Sequence, residues 1–171
     1  MTPQTAEFLR SLYADVDLAV ADAGPKCEAS GRCCRFEEYG HTLFLSEVEA
    51  EFLLAGAPGY DKPVSSAACP FQIDGLCTAR EPRPLGCRIY FCDPDYQARA
   101  AEITESALAR LKRHADEIGL GWRYAPLHVF LNEMERPAAG TPANSDNNTE
   151  GTGTPRVALP VLPDPQQETR S

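Results

Sequence analysis

Seven cysteines stand at positions 27, 33, 34, 69, 77, 87 and 92, and the rest of the 171-residue chain has none. Cysteines scattered through a core would not be confined to one stretch in this way. An odd number also disfavours a disulfide framework, which secreted domains build from paired thiols. The first residues, Met1-Thr-Pro-Gln-Thr-Ala-Glu-Phe8, have neither the basic nor the apolar segment of a secretory signal. The expectation is a cytoplasmic protein whose reduced thiols bind metal.

Charge narrows the function further. With 16 Lys and Arg against 25 Asp and Glu, the net charge is -9. Nucleic-acid binding needs cations to displace phosphate counterions, and docking on anionic lipid needs them too. Neither partner is expected. No apolar run approaches the roughly 18 residues of a membrane-spanning helix. The partner the chain does call for is a metal ion; a protein partner is not legible.

The elements follow from periodicity. Leu9, Leu12, Val16, Ala19 and Ala23, widened by Phe8 and Val20, predict a helix over residues 5–23 that stops at Gly24-Pro25. Thr42-Leu-Phe-Leu45 reads as a short strand. Ser46-Glu-Val-Glu49 reads as a capping box opening a helix that turns Val48, Phe52 and Ala55 to one side and ends at Gly56. Asp74-Gly75 predicts a hairpin between residues 71–73 and 76–78. Asp93 and Pro94 open a long helix with a stripe of Tyr96, Ala100, Ile103, Ala107, Leu111, Ala115 and Ile118, ended by Gly119. Residues 121–134 read as a strand or short helix returning to the core.

The expected fold class is a small α+β domain, mostly helical and irregular, with short hairpin strands. Residues 1–135 form this domain. Residues 136–171, rich in Pro, Thr and Asn and free of aromatic residues, read as a disordered tail that buries too little to offset its entropy. Within it, residues 157–163 read as solvated chain rather than a docking peptide. Residues 24–92 look poor in core residues, so metal is expected to act as their staple.

Thiolate is a soft ligand that selects zinc, copper(I) or iron–sulfur clusters. Zinc and a [4Fe-4S] cluster each take four protein ligands as a rule. Seven thiols exceed one such site and fall short of two, and Ser30 explains the shortfall. Cys27-Glu-Ala-Ser30-Gly-Arg-Cys33-Cys34 is Cys-x-x-Ser-x-x-Cys-Cys, with serine where a cysteine would complete the series.

Here the chain resembles the CxxCxxCC cysteine-cluster proteins of the YkgJ type, a zinc- or iron-chelating domain. Cys69-Pro-Phe71, Asp74-Gly-Leu-Cys77 and Arg83-Pro-Leu-Gly-Cys87-Arg-Ile-Tyr90 are similar to that family's later elements, in its order. The resemblance spans residues 27–92. It implies a centre of zinc or an iron–sulfur cluster and establishes no reaction; a similar domain occurs in flagellin lysine methylase. Ser30 departs from the pattern. Either the family's second cysteine is dispensable here, or one metal has an exchangeable position, as a catalytic centre requires.

All seven cysteines, Cys27, Cys33, Cys34, Cys69, Cys77, Cys87 and Cys92, are therefore candidate metal ligands, with Cys69, Cys77, Cys87 and Cys92 the leading set. Cys33 and Cys34 would face opposite sides in extended backbone and so serve two metals, or one metal and the core. A strained vicinal disulfide is the alternative. Lys26, Arg32, Arg35, Arg80, Arg83 and Arg88 flank the thiols and would offset thiolate charge, Arg83 and Arg88 as parts of the site. Tyr90 and Phe91 are expected to pack around the metal. His41 reads as a strand or surface histidine, His114 falls on the polar side of the long helix, and His128 is structural. Two further functions fit the same residues: an iron–sulfur oxidoreductase or accessory to methyl transfer, and a metal-free thiol redox sensor.

Overall fold

The computed structural model describes residues 1–27 and 30–135. The expected tail, with residues 157–163, lies outside them. Helix α1 runs Pro3–Ala23. Thr2 caps it by accepting from the Thr5 amide at 3.1 Å, and Pro3 occupies the first position, where no amide is needed. Gly24 ends it at φ +61°, a left-handed conformation in which its N–H closes on Val20 and Ala21.

A three-residue strand, β1 (Phe44–Ser46), leads into α2 (Glu47–Gly56). The capping box forms as the sequence predicts: Ser46 Oγ accepts from the Glu49 amide, and Glu49 Oε2 accepts from the Ser46 amide at 2.9 Å. The face expected on α2 is corrected. Ala55 is exposed and Phe52 half-buried, while Val48, Glu49, Ala50, Leu53 and Leu54 are buried. The helix lies between two cores, Val48 packing into one and Ala50, Leu53 and Leu54 into the other, so it has no single apolar stripe.

The Asp74-Gly75 hairpin pairs β2 (Gln72–Ile73) with β3 (Leu76–Cys77), and both turn residues have positive φ, 51° and 79°. A five-residue helix, α3 (Leu85–Ile89), follows. Asp93 then caps a single tight turn over Pro94–Tyr96, and α4 (Gln97–Glu117) continues from it. Residues 121–134 take both forms foreseen for them: β4 (Tyr124–Pro126), then α5 (Leu127–Glu133). Strand β4 pairs antiparallel with β1, Leu45 opposite Ala125. The domain is thus mostly helical with two small antiparallel sheets.

One core joins α1, α3 and α4 through Leu9, Leu12, Val16, Leu85, Ile89, Ile103 and Leu111. The other joins α2, α5 and the cysteine-bearing loops through Phe36, Leu45, Leu53, Phe71, Ala79 and Phe130. Residues 24–92 are therefore not poor in core, as the sequence suggested. Besides the buried residues of β1, α2 and α3, loop residues Phe36, Phe71 and Ala79 are buried, and these three stand singly in the chain with no period to mark them.

His114 is also corrected. It is buried and stacked on Phe8, ring centroids 3.9 Å apart. Three residues after Leu111 and seven after Ala107, it falls on the edge of the apolar stripe, where α1 covers it.

Candidate metal centre

Five of the seven thiols, Cys33, Cys34, Cys69, Cys77 and Cys87, come near one another, carried by elements of both cores. Cys33 and Cys34 lie in a tight 3-10 turn (Arg32–Cys34), not in extended backbone, so they do not face opposite sides. Their Sγ atoms are 3.9 Å apart and both thiols are free, which excludes the vicinal disulfide in this structure. Cys69 is joined to this turn by a backbone bond from its amide to the Cys34 carbonyl at 2.8 Å. Glu37 N donates to Ala67 O at 3.0 Å, so residues 34–37 run alongside 67–69. Cys77 enters on the hairpin and packs with Cys69 against the second core. Cys87 comes from the middle of α3, whose Leu85 and Ile89 anchor it in the first core.

Gly31 and Gln72 dock the turn on the hairpin. Gln72 Nε2 donates to the Gly31 carbonyl at 2.8 Å. Gly31 sits at φ +69°, and a Cβ there would come 2.4 Å from Gln72 Nε2 and 2.9 Å from the Gly75 carbonyl oxygen. Glycine is required on both counts. Ser30 is exposed, and its carbonyl accepts from Arg35 Nη2 at 3.0 Å.

Five thiols, Cys33, Cys34, Cys69, Cys77 and Cys87, are near enough to sense one another's charge. Cys33 is raised by its hydrogen bond with Cys34, then by burial. At Cys34 the bond with Cys33 lowers the pKa, but the bond to Cys69, burial and the charges of Cys69 and Cys77 outweigh it and leave the thiol at about 12. Burial, then Cys34, Cys77 and Cys33, raise Cys87. Arg83 opposes these shifts at Cys33 and Cys87, and its Nε is buried with no hydrogen-bond partner. A buried guanidinium donor beside a knot of thiols fits an anionic group at this point.

The other two cysteines are placed differently. Cys27 and Cys92 are exposed. The Lys26 amide donates to Asp93 Oδ2 at 3.0 Å, holding the segments that carry them side by side at the rim. Cys92 therefore does not share the interior with Cys69, Cys77 and Cys87 as the leading set assumed. Helix α3 ends at Ile89, three residues before Cys92, and does not carry it inward.

The arginines divide as well. Arg83 faces the thiols, but Arg88 turns away to bind Asp17 at 2.5 Å, the Glu81 carbonyl at 2.6 Å and the Arg83 carbonyl at 3.0 Å. Its guanidinium also lies over the Tyr13 ring. Arg88 holds α3 to α1, and through that bond holds Cys87 and the Arg83 loop in place. Arg32 and Arg35 lie over Tyr39.

Tyr90 stands beside the thiols as expected, whereas Phe91 packs edge-on to Tyr96 in the first core. His41 is neither a plain strand residue nor a surface one. It stacks on Tyr90, meets Phe36 edge-on and bonds the Cys33 carbonyl through Nε2 at 3.4 Å. His128 is half-buried. Sequence reasoning missed the docking pair Gly31 and Gln72, for which the chain offered only a glycine after Ser30.

Among the described residues, no set of three or more His, Cys, Asp or Glu stands in an arrangement that could hold a metal ion as it is. No helix of the described residues is long and apolar enough to cross a membrane. No family model, curated protein or solved structure matches the chain.

Proposed function

We propose that this chain is a cytoplasmic metal-binding protein. Its centre, zinc or an iron–sulfur cluster, draws its ligands from Cys33, Cys34, Cys69, Cys77 and Cys87. The observation that carries the reading is the gathering of five thiols, from three separated segments, on elements of both cores. The 3.9 Å between Cys33 Sγ and Cys34 Sγ is also close to the ~3.8 Å edge of a tetrahedron built on Zn–S bonds of about 2.3 Å. The unpartnered Arg83 Nε supplies a donor to the negative charge that four thiolates would bring.

Membership of the cysteine-cluster family belongs to the same proposal, supported by the order of the motifs from Cys69-Pro-Phe71 to Tyr90. Bound metal would tie the turn, the hairpin and α3 together, adding to the packing already present there. Cys27 and Cys92 stand outside the centre as rim thiols.

Elemental analysis of protein purified without oxygen, with an absorbance spectrum of the same sample, tests this. About four irons per chain with a broad band at about 400 nm identify a [4Fe-4S] cluster. One or two zincs in a colourless solution identify a thiolate zinc site. Protein that carries neither, and takes up neither on anaerobic reconstitution, overturns the proposal and leaves the thiol-sensor reading.

A further inference from the structure

With five of the seven cysteines gathered at the proposed centre, Cys27 and Cys92 are left over, and a four-ligand centre has no need of them. They are the two exposed cysteines. Cys34 is buried, and Cys33, Cys69, Cys77 and Cys87 are half-buried. A dissolved oxidant therefore meets the rim pair first, since thiol oxidation follows exposure.

The two cysteines belong to segments that the fold holds together. Their immediate neighbours are joined, the Lys26 amide donating to Asp93 Oδ2 at 3.0 Å. Residues 91–95 are fixed in turn. Gln97 Nε2 donates to the Phe91 and Asp93 carbonyls at 3.1 and 2.8 Å, and the Asp95 amide donates to Asp93 Oδ1 at 3.1 Å. Cys92 Sγ donates to the Tyr90 hydroxyl at 3.9 Å. Each cysteine is one Cα step of about 3.8 Å from a residue of the bonded pair. A disulfide needs its Cα atoms roughly 4.4–6.8 Å apart. Cys27 follows the end of α1 at Ala23 and lies in no helix or strand, so turning it toward Cys92 disturbs no element.

We propose that Cys27 and Cys92 form an intramolecular disulfide when the protein meets a hydroperoxide. One rim thiolate attacks the peroxide; an S–O bond forms, the O–O bond breaks, and the first water (or alcohol) leaves. The second thiol then attacks that sulfenic sulfur, the S–S bond forms and the S–O bond breaks, releasing a water. Two thiols lose two electrons and two protons, and the peroxide takes up both. The bridge closes the chain from residue 27 to residue 92, the stretch that holds all five inner cysteines. Oxidation at the rim thus fastens the surroundings of the centre and leaves its ligands in place.

Stoichiometric hydrogen peroxide added to the full chain, with metal content measured on the same sample, tests this. After alkylation of the remaining thiols, non-reducing peptide mapping by mass spectrometry is expected to find Cys27 linked to Cys92. The intact chain should be two hydrogens lighter, its metal content unchanged, and dithiothreitol should restore both thiols. Asp93→Ala removes the oxygen that holds Lys26, so the bridge should form about tenfold more slowly and trapped sulfenic acid should accumulate. Rim thiols that stay reduced, a link to an inner cysteine, or a bridge only between two chains overturns the proposal. An unchanged rate of closure in folded Asp93→Ala overturns it too. A sample that forms the bridge but neither carries nor takes up metal refutes the metal proposal alone, and a metal-loaded sample that forms none refutes the rim bridge alone.

Discussion

The amide of Cys69 donates to the carbonyl of Cys34 at 2.8 Å, so two cysteines 35 residues apart in the chain are fixed by the backbone before any side-chain chemistry. Each Sγ is thereby held near enough to the other for Cys69 to push the Cys34 thiol's pKa upward. A centre framed this way depends on the inner thiols and not on the rim.

Replacing cysteines singly with serine should therefore separate inner thiols from rim thiols. Cys34→Ser, Cys69→Ser, Cys77→Ser and Cys87→Ser should each lose most of the bound metal, because serine is a poor ligand for soft metals. Cys27→Ser and Cys92→Ser should retain it. Metal content of the purified variants checks this, and loss of metal in Cys92→Ser with retention in Cys34→Ser would reverse the assignment.

Gly31→Ala should destabilise the domain by about 1–2 kcal/mol from the left-handed backbone alone. The Cβ also collides with Gln72 and the Gly75 carbonyl, so the turn should lift from the hairpin. Urea denaturation gives the stability, and faster amide exchange confined to residues 30–37 and 69–78 would locate the damage.

Arg88→Met should cost about 2–4 kcal/mol. It strands two carbonyls at roughly 1–3 kcal/mol each, partly relieved by water, and releases Asp17, which is itself half-exposed. Because Arg88 points away from the thiols, the folded variant should still load metal. Thermal denaturation and metal analysis of the same variant separate the two effects.

Glu49 makes stability depend on pH. Its carboxylate is wholly buried and accepts from the Ser46 amide, the Ser46 hydroxyl and the Leu85 amide, each at 2.9 Å. Burial raises its pKa above the ordinary 4.5, against the opposing pull of those bonds. The folded state therefore holds this proton to higher pH than the unfolded chain does. Glu49's contribution to stability is greatest at and below about pH 4.5 and falls as pH rises from there through the folded value. Glu49→Gln sets an amide N–H against a backbone donor and should cost about 1–3 kcal/mol at low pH. The gap from the unsubstituted protein should narrow as pH rises, which denaturation curves at several pH values would show; a gap that widens would refute the sign.

The helices α1 and α4, the Ser46–Glu49 capping box and the Asp74-Gly75 hairpin were legible in the chain because each is set by contacts within a few residues: a period, a cap or a turn. The cysteine-rich character of the site was legible for the same reason, since thiols crowded into one stretch need no fold to be noticed. What only the tertiary structure decided is which thiols share an interior. Cys92 looked closer to Cys87 than Cys34 did, yet α3 ends at Ile89 and leaves Cys92 at the rim, while a backbone bond carries Cys34 to Cys69. The burial of His114, the two-sided packing of α2 and the pairing of β1 with β4 were hidden in the same way. Each depends on a partner far off in sequence, and local chemistry carries no record of which distant surface will cover it.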